Sequence, residues 1–322
     1  MPNNPDSCRD RPELVGDPLS QILSLVDARA VVSTGLRARG AWAVQVAPVH
    51  SLKCNIIKRG SCRIEVDGEQ WELEEGACFL VGANLPFLIG TDLNRVPRPA
   101  EDVFAATEVN NSAWLDAGMG PEFYCLSGRM DLPRTASLLI DALPSVVVVR
   151  ADEPVAGRLH WLVDRLDEEL SAGSAGAVAM AAQIMQMIFI ELIRNVPCGL
   201  AGSWLAALAD PRIGAALKAI HRDPQRNWRI DDLANIAHLS RSRFSARFRV
   251  AVGRPPMDYL LRLRMALAQK ALARPNTTIA AVAARAGYSS ESAFGYAFRR
   301  ITGVTPRQAQ KSAGRETKAT VQ

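Results

Sequence analysis

The chain has 322 residues, of which 48% are hydrophobic and 22% are charged, and its 38 Lys and Arg outnumber its 33 Asp and Glu. This length is sufficient for two domains with substantial cores, and the composition argues against a largely disordered chain. The first 13 residues are polar and lack the apolar core of a signal peptide, and the six cysteines show neither paired spacing nor a CxxC motif. The most apolar stretch, residues 175–193, is interrupted by Gln183, Gln186 and Glu191, so no transmembrane helix is predicted. We therefore expect a cytoplasmic protein with reduced thiols.

The charge is divided unevenly along the chain. Residues 205–322 contain 21 Lys and Arg against 7 Asp and Glu, a net charge of +14. Residues 1–204 contain 17 against 26, a net charge of −9, and the two halves sum to the net charge of +5. A basic half joined to an acidic half is typical of a nucleic-acid-binding module attached to a second domain.

The first predicted elements are a short helix and a series of short strands. Asp17 suits an N-cap and Pro18 suits the first helical turn, so a helix is predicted from Asp17 to about Val26. Between residues 30 and 91 the hydrophobic pattern changes to a period of two, and Asp67-Gly68 is a strong hairpin signal. Several short antiparallel strands with glycine turns predict a small barrel or sandwich.

The next stretch mixes a loop, strands and two helices. Residues 94–102 contain two prolines and mixed charges and are predicted as a loop, whereas residues 122–127 and 146–149 are predicted as strands. Apolar residues between 155 and 170 recur at helical spacing, and residues 177–194 are predicted as a second helix that is apolar nearly all round. Such a surface must be covered on more than one side, either by the barrel alone or by a second copy of the chain.

A helix-turn-helix pattern occurs twice in the basic half. Phe244 and Phe248 are four residues apart, and Phe294 and Phe298 repeat this spacing 50 positions later, so each pair marks one buried helical face. Small residues precede both pairs and allow two helices to approach closely. A rotation of 100° per residue predicts the outer face of each second helix. This face contains Ser242, Ser245, Ala246 and Arg249 in the first copy, and Ser292, Gly295, Tyr296 and Arg299 in the second.

A helix is predicted to join the two copies. Pro256 suits its first turn, and the helical pattern extends to about Ala273. A helix of about 18 residues is about 27 Å long. This is just under the roughly 34 Å that separates successive major-groove faces on one side of DNA. One monomer can therefore present both second helices to adjacent segments of the major groove.

The tandem copies, together with the ending Gly303-Val304-Thr305-Pro306, resemble the DNA-binding half of the AraC/XylS family of transcription regulators over about residues 208–312. The stretches KRGSCRIEVDGE and EEGACFLVGANLPF are similar to the cupin-type sensor domain that precedes it in many members. The resemblance implies an α+β chain. Its N-terminal cupin-like β-barrel with following helices would span residues 14–196, its linker residues 197–207, and its all-α DNA-binding domain residues 208–312.

The resemblance also implies partners and a function. The family's members bind promoter DNA, more often activate than repress, work with RNA polymerase and commonly dimerise through helices that follow the barrel. Arg contacts to phosphates would supply most of the affinity and its salt dependence. The residues expected at the DNA interface are Arg241, Ser242, Arg243, Ser245, Ala246, Arg249, Ser290, Ser292, Tyr296, Arg299 and Arg300.

Several positions depart from the family pattern. Members often have Arg where this chain has Ala246 and Tyr296, and neither residue can read guanine as Arg does, so no target sequence follows from the resemblance. His238 occupies a turn position that is usually Gly, which predicts a strained turn. Metal-binding cupins use a His-x-His pair and a later His, but here His50 is isolated and Phe87 takes the place of the last ligand. We therefore expect no metal and no cofactor.

The sequence does not decide whether the effector is a small molecule or an oxidant. Cys54, Cys62 and Cys78 fall in predicted strands, and we interpret them as small buried hydrophobes in preference to redox sensors. A two-residue turn at Arg59-Gly60 would place Cys62 opposite Ile57, so no Cys54–Cys62 disulfide is predicted. The alternative function is a cupin-type small-molecule enzyme fused to a DNA-binding domain. No Ser/His/Asp or Cys/His nucleophile pattern supports it, so we expect no enzyme.

Overall fold

The structure is a computed structural model that describes residues 17–25, 29–106, 108–109, 112–132, 143–196, 204–274 and 276–311. These residues divide into two compact units. The strand-rich unit contains the described residues between 29 and 196, and the helical unit contains residues 17–25 together with those from 204 onward. The predicted α+β fold class is confirmed.

The strand-rich unit consists of two sheets around one apolar core. Its strands are β1 (Arg29–Gly40), β2 (Ala43–Val46), β3 (Ser51–Arg59), β4 (Cys62–Val66), β5 (Glu69–Leu73), β6 (Cys78–Val81), β7 (Phe87–Gly90), β8 (Arg98–Pro99), β9 (Glu108–Val109), β10 (Ser112–Ala117), β11 (Glu122–Asp131) and β12 (Val146–Val149). One sheet has the order β12-β6-β3-β11-β1-β10-β9, and the other has the order β5-β4-β7-β2-β8. Alternating residues of both sheets point into the shared core.

The predicted hairpin at Asp67-Gly68 is confirmed. β4 and β5 pair in antiparallel register, with Ile64 opposite Trp71. Asp67 has a φ of 51° and Gly68 a φ of 80°, and two consecutive positive values are typical of the type I′ turn that matches strand twist.

The predicted turn at Arg59-Gly60 does not join neighbouring strands, and that prediction is wrong. β3 pairs with β11 and β6 in one sheet, whereas β4 pairs with β5 and β7 in the other. The chain changes sheets at Gly60, where a Cβ would lie 2.4 Å from the carbonyl oxygen of Glu122. This close backbone approach requires glycine. Cys62 consequently lies opposite Leu73 and not opposite a residue of β3.

Three helices belong to the strand-rich unit: α2 (Ala100–Ala106), α3 (Ala156–Ala172) and α4 (Ala177–Arg194). The loop predicted over residues 94–102 is wrong at its C-terminal end, because β8 and the start of α2 lie there. The strands predicted over 122–127 and 146–149 and the helices α3 and α4 are confirmed, with β11 extending further to Asp131.

Helix α4 is long and apolar enough to cross a membrane by length and composition alone. It packs instead against β1 and α3, and its inner face is buried. Gly128 of β11 leaves room for Met185, because a Cβ there would lie 2.4 Å from the methionine sulfur. The backbone N–H of Ala30 donates to the Gln186 side chain at 3.1 Å. These contacts account for the apolar inner face of α4, whereas Val178, Met180 and Met187 on its other side are exposed.

The helical unit contains α1 (Pro18–Leu25), α5 (Trp204–Ala209), α6 (Ile213–Arg222), α7 (Ile230–Ile236), α8 (Arg241–Val252), α9 (Pro256–Leu272), α10 (Ile279–Arg285) and α11 (Glu291–Thr302). The predicted N-cap is confirmed, since the Asp17 carboxylate accepts from the N–H groups of Leu19 and Ser20. α1 packs against α6 and α9. Residues 197–203 of the expected linker lie outside the described residues.

Candidate nucleic-acid interface

The two helix-turn-helix copies share the same buried contacts. The first copy is α7 with α8, and the second copy is α10 with α11. Phe244 and Phe248 are fully buried with ring centroids 5.5 Å apart, and Phe294 and Phe298 are fully buried at 5.4 Å. Small buried residues of α7 and α10 lie in the facing helices. The predicted repeat of inner faces is therefore confirmed.

The turns of the two copies have the same hydrogen bonds and differ in one residue type. The N–H of Leu239 donates to the carbonyl of Ala234, and that of Tyr288 donates to the carbonyl of Ala283, both at 3.0 Å. The residue between has a positive φ in each copy, 52° at His238 and 85° at Gly287. The strain predicted at His238 is thus present, because a left-handed conformation costs a residue with a Cβ about 1–2 kcal/mol.

Serine caps begin both second helices. Ser240 Oγ accepts from the N–H of Arg243 at 3.4 Å, and Ser290 Oγ accepts from the N–H of Ala293 at 3.2 Å. Both serines have extended backbones, as N-cap residues do. Ser290 was predicted only for the interface, and the structure gives it this capping bond as well.

The outer faces of α8 and α11 are solvent-accessible. Ser245 is half-buried, and Tyr296 is 74% exposed. The other predicted interface residues are exposed: Arg241, Ser242, Arg243, Ala246, Arg249, Ser290, Ser292, Arg299 and Arg300. The structure thus brings the predicted residues together on the outer surface of two helices.

The six arginines of α8 and α11 form two groups: those that bind carboxylates within the helical unit and those that do not. Arg247 Nη2 donates to Asp210 Oδ2 at 2.7 Å and ties α8 to the segment before α6. The Arg241 guanidinium lies 3.9 Å from Asp231. No carboxylate of the described part of the chain lies within 4.0 Å of the remaining four arginines. These are Arg243, Arg249, Arg299 and Arg300.

The ion pair of Arg247 is a structural contact that sequence reasoning missed. Partial burial alone would raise the pKa of Asp210, but hydrogen bonds from the Ile213 N–H and from Arg247 hold that pKa below its usual range. A charge that already has a partner is less available to a phosphate. Arg247 lies about 60° from the buried phenylalanine face by helical rotation, which places it beside the core, but its side chain stays 44% exposed.

Helix α9 connects the cores of the two copies. Tyr259 near its start packs on Phe248 of the first copy with ring centroids 6.0 Å apart. Met265 and Leu272 further along belong to the core of the second copy. The 17 residues of α9 correspond to about 26 Å, as predicted from its proline start.

A buried hydrogen-bonded network supports the first copy and has no sequence motif. His221 is fully buried, its Nδ1 donates to Gln21 Oε1 at 2.7 Å, and its Nε2 accepts from the Tyr259 hydroxyl at 2.6 Å. Burial lowers the pKa of His221 to about 4, against a smaller opposite effect of Asp17. Lys270 of α9 also binds α1, donating to the Ser24 carbonyl at 2.6 Å.

The candidate redox cysteines are all buried. Burial raises the pKa of the Cys54, Cys62 and Cys78 thiols, that of Cys78 to about 12. Cys125 is also a buried free thiol, with a pKa raised to about 11. A protonated, inaccessible thiol is a poor nucleophile. The geometry therefore fits the interpretation of these residues as small hydrophobes.

The strand-rich unit contains an open cavity of about 430 Å³ between β1, β3, β11 and α2, which is the candidate effector site. Within the described ranges, no group of three or more His, Cys, Asp or Glu side chains is arranged to hold a metal ion. His50 is exposed, with its Nδ1 3.2 Å from Asn84 Oδ1.

Comparison with known proteins relates both halves to one family. A cupin family model matches residues 17–197, and a helix-turn-helix domain model matches residues 233–312. A putative AraC-like transcription regulator of Streptomyces lividans is 37% identical over 297 residues, 90% of this chain and 96% of the relative. A second one, from Streptomyces antibioticus, is 36% identical over 90% of this chain and 97% of the relative.

A solved structure matches the C-terminal part. The DNA-binding domain of the global transcriptional factor AdpA, in complex with a target DNA, is 28% identical over 32% of this chain and 91% of that chain, with a TM-score of 0.29. With family models over both halves and relatives of this similarity along nearly its full length, the chain belongs to the AraC-like transcription regulators, with an N-terminal cupin domain and a C-terminal helix-turn-helix DNA-binding domain.

Proposed function

We propose that the protein binds promoter DNA with α8 and α11 and that its cupin domain adjusts this binding in response to an effector. One observation supports this most directly. Two helices of the same fold bury matched phenylalanine pairs and expose polar and basic faces, joined by a helix of about 26 Å. This length suits two adjacent segments of one major-groove face.

The exposed arginines of α8 and α11 differ in how strongly they contact DNA phosphates. Arg243 and Arg249 of the first copy and Arg299 and Arg300 of the second contact phosphates, because their charges have no carboxylate partner among the described residues. Arg241 contributes less, since Asp231 lies 3.9 Å from it.

The short and aromatic side chains on the outer faces of α8 and α11 recognise the bases. Ser242, Ser245 and Ser292 offer hydroxyls, and Ser290 contributes at the helix start. Ala246 offers a methyl group to a thymine methyl, and Tyr296 extends from α11 with a hydroxyl that can bind a base or a phosphate.

The outer face of α3 and α4 forms a homodimer. It exposes Trp161 by 66%, Met180 by 47% and Met187 by 43%. A groove of about 560 Å³ runs between the helices and has Arg158 and Arg194 at its rim. A second copy related by two-fold symmetry presents the same apolar face, so both faces are covered at once. Light scattering tests this: Trp161→Glu should give monomers, and Val96→Glu, at a 92% exposed position, should not.

The wider role follows the family. The protein acts in the cytoplasm, and a dimer bound at a promoter stands next to RNA polymerase and activates transcription. The effector is a small molecule in preference to an oxidant, because burial keeps the thiols protonated.

The test is selection of DNA from a random pool by the full-length protein at two salt concentrations. The expected result is a motif of two elements about one helical turn apart, with affinity that falls as salt rises. Tyr296→Ala should change the preferred bases in only one element, and Arg63→Gln, in the cupin domain, should change neither. Binding that yields no motif and vanishes with salt would overturn the proposal, because the basic domain would then act only as a charged clamp.

A further inference from the structure

Polar side chains form two rows across the centre of the seven-stranded sheet. In the first row, Ser127 of β11 lies between its two register partners, Ser33 of β1 and Asn55 of β3. In the second row, two residues further along each strand, Arg129 lies opposite Lys53. All five line the 430 Å³ cavity. On the same face, Ile57 and Cys125 continue into the apolar core. The inward face of the sheet thus changes from apolar to polar where the cavity begins.

The polar groups of these rows are mostly donors without acceptors. Ser127 Oγ donates to Asn55 Oδ1 at 2.7 Å, which directs the amide donors of Asn55 elsewhere, and Asn55 is only 8% exposed. No residue in the described part of the chain hydrogen-bonds or ion-pairs with the Lys53 ammonium. Ser33 Oγ is buried and also has no hydrogen-bond partner there. Asn55 and Ser33 Oγ are buried and Lys53 is half-buried. Buried polar groups usually have partners, so this set indicates a ligand that supplies acceptors.

The two cations of the cavity destabilise each other. Lys53 and Arg129 are directly opposed on neighbouring strands, and like charges in that position are unfavourable. Burial, and then Arg129, lower the pKa of Lys53, whereas Asp131 raises it. Arg129 is partly neutralised, because its Nε donates to Asp131 Oδ1 at 2.9 Å. Glu101 of α2 also lines the cavity, but it is exposed. The half-buried Lys53 therefore leaves the cavity with about one positive charge that has no counterpart among the described residues.

Apart from Thr34 and Glu101, the remaining residues that line the cavity are apolar. The apolar lining includes Val32 of β1, Val46 of β2, Phe87 of β7 and Phe104 of α2. The volume is at the lower end of the ~300–1,000 Å³ that is usual for small-molecule sites. A ligand that matches this lining is small, apolar over most of its surface, and singly negative at one end.

We infer that this cavity binds a small monocarboxylate, whose carboxylate accepts hydrogen bonds from Lys53, Asn55 and Arg129 and whose apolar body packs on Phe87 and Phe104. The inference rests on the proposed function, because it names the class of effector to which the cupin domain responds. Donor-rich surroundings with few acceptors favour a carboxylate over a sugar. The single unbalanced charge favours a monoanion over a phosphate or a dicarboxylate.

The experiment is isothermal titration of the full-length protein with 3-phenylpropanoate, octanoate and cyclohexanecarboxylate, each compared with its uncharged amide. At least one acid should bind about tenfold or more tightly than its amide, because only the acid forms charge-assisted hydrogen bonds. Lys53→Met keeps an unbranched side chain only one heavy atom shorter, removes the charge, and should abolish this preference. Lys58→Met is the matched control on the same strand, since Lys58 pairs with Asp164 outside the cavity and its variant should keep the preference.

A second variant tests the inference if the Lys53→Met protein does not fold. Asn55→Asp places a carboxylate in the cavity, so it should weaken binding of the acid and leave binding of the amide nearly unchanged. The inference is overturned if no acid of the three binds, if acids and amides bind equally, or if a folded Lys53→Met protein retains the preference.

DNA selection separates this inference from the proposed function. A protein that selects a two-element DNA motif yet binds no carboxylate would refute the cavity assignment alone. A protein that prefers acids to amides but selects no DNA motif would support the cavity assignment and refute the proposed DNA-binding function.

Discussion

The two helix-turn-helix copies have one internal design and two different outer surfaces. Both bury a phenylalanine pair at nearly the same ring separation, and both begin the second helix with a serine cap. Yet α8 contains four arginines in twelve residues, whereas α11 contains Glu291 and two arginines at its C-terminal end, with Tyr296 exposed between them. Inner residues that set the geometry are thus independent of outer residues that set the chemistry. The first copy is suited to phosphates, and the second has the more varied face.

The copies also differ in what supports them. The first copy packs on Tyr259, which hydrogen-bonds to the buried His221 and through it to α1. The second copy shares a core with the C-terminal half of α9, and Tyr288 packs on Phe294 with ring centroids 5.8 Å apart. Stability of the first copy is therefore linked to a titratable group, and stability of the second depends on apolar packing.

The largest expected effect comes from the shared inner design. Phe248→Ala and Phe298→Ala should each lower the free energy of unfolding by about 3–5 kcal/mol, because each removes a fully buried ring and leaves a cavity. Urea denaturation followed by circular dichroism measures this. Tyr296→Ala, at an exposed position, should change stability by less than about 0.5 kcal/mol. A cost below about 1 kcal/mol in one copy only would show that its core is not packed like the other.

The next effect tests the outer faces. Replacing Arg243 and Arg249 together by Gln should weaken DNA binding about a hundredfold at low salt, or about 2.7 kcal/mol. It should also reduce the slope of log K against log salt by about 2, one unit for each lost phosphate contact. Titration of a selected DNA by fluorescence anisotropy gives both values. Replacing Arg299 and Arg300 by Gln shows whether the second copy contributes equally, and an unchanged slope in either pair would remove that pair from the interface.

The third effect distinguishes the copies by pH. Burial lowers the pKa of His221 to about 4, below the roughly 6.5 of an unfolded chain. Between these values the unfolded state binds more protons, so the stability is complete above about pH 6.5 and declines as the pH falls toward 4. At pH 5 the loss should be about 2 kcal/mol relative to pH 7.

Urea denaturation of the wild-type protein and of His221→Gln at both pH values measures this loss. The variant should lose less between pH 7 and pH 5 than the wild type, whatever its stability at pH 7. Equal losses in the two proteins would assign the pH dependence to other groups. The second copy contains no histidine between residues 279 and 311, so it offers no such group of its own.

The smallest effect concerns the two turns. His238→Gly should raise the free energy of unfolding by about 0.5–1 kcal/mol, because glycine adopts the observed φ of 52° without strain. Gly287→Ala should lower it by about 1–2 kcal/mol, since the φ there is 85° and an added Cβ would lie 3.3 Å from Arg264 Nη1. Thermal unfolding compares the two. If His238→Gly raises the free energy of unfolding and Gly287→Ala lowers it, the two turns share a conformation that is strained only at His238. If both variants lower the free energy of unfolding, the His238 side chain makes a stabilising contact.

Local signals predicted much of this molecule. The cap at Asp17, the turn at Asp67-Gly68, the bounds of α4 and α9, and the buried phenylalanine pairs depend on residues close in sequence. The exposed faces of α8 and α11 follow from helical geometry once the buried faces are known. The candidate DNA interface was therefore within reach of sequence reasoning, apart from the pair between Arg247 of α8 and Asp210 in the segment before α6.

The cupin domain was less accessible to such reasoning. A turn at Arg59-Gly60 has the same local signature whether it joins two strands of one sheet or changes sheets. The close approach of Glu122, 62 positions away, decided between them. The cavity in this domain depends on three strands, distant in sequence, that lie side by side. No sequence motif predicts the rows that contain Asn55 and Lys53.

The sequence by itself determined most of the helices except α2, the start of α1 and α9, the buried faces of α8 and α11, and which half is basic, because periodicity, capping and charge act over a few residues. Only the tertiary structure decided which strands are neighbours and that α1 packs against α6 and α9. It also decided that His221 and the cysteines Cys54, Cys62, Cys78 and Cys125 are buried and that Lys53 is half-buried. These outcomes depend on contacts between residues far apart in the chain. Each such contact is favourable only when the rest of the core has formed, so no local pattern encodes it.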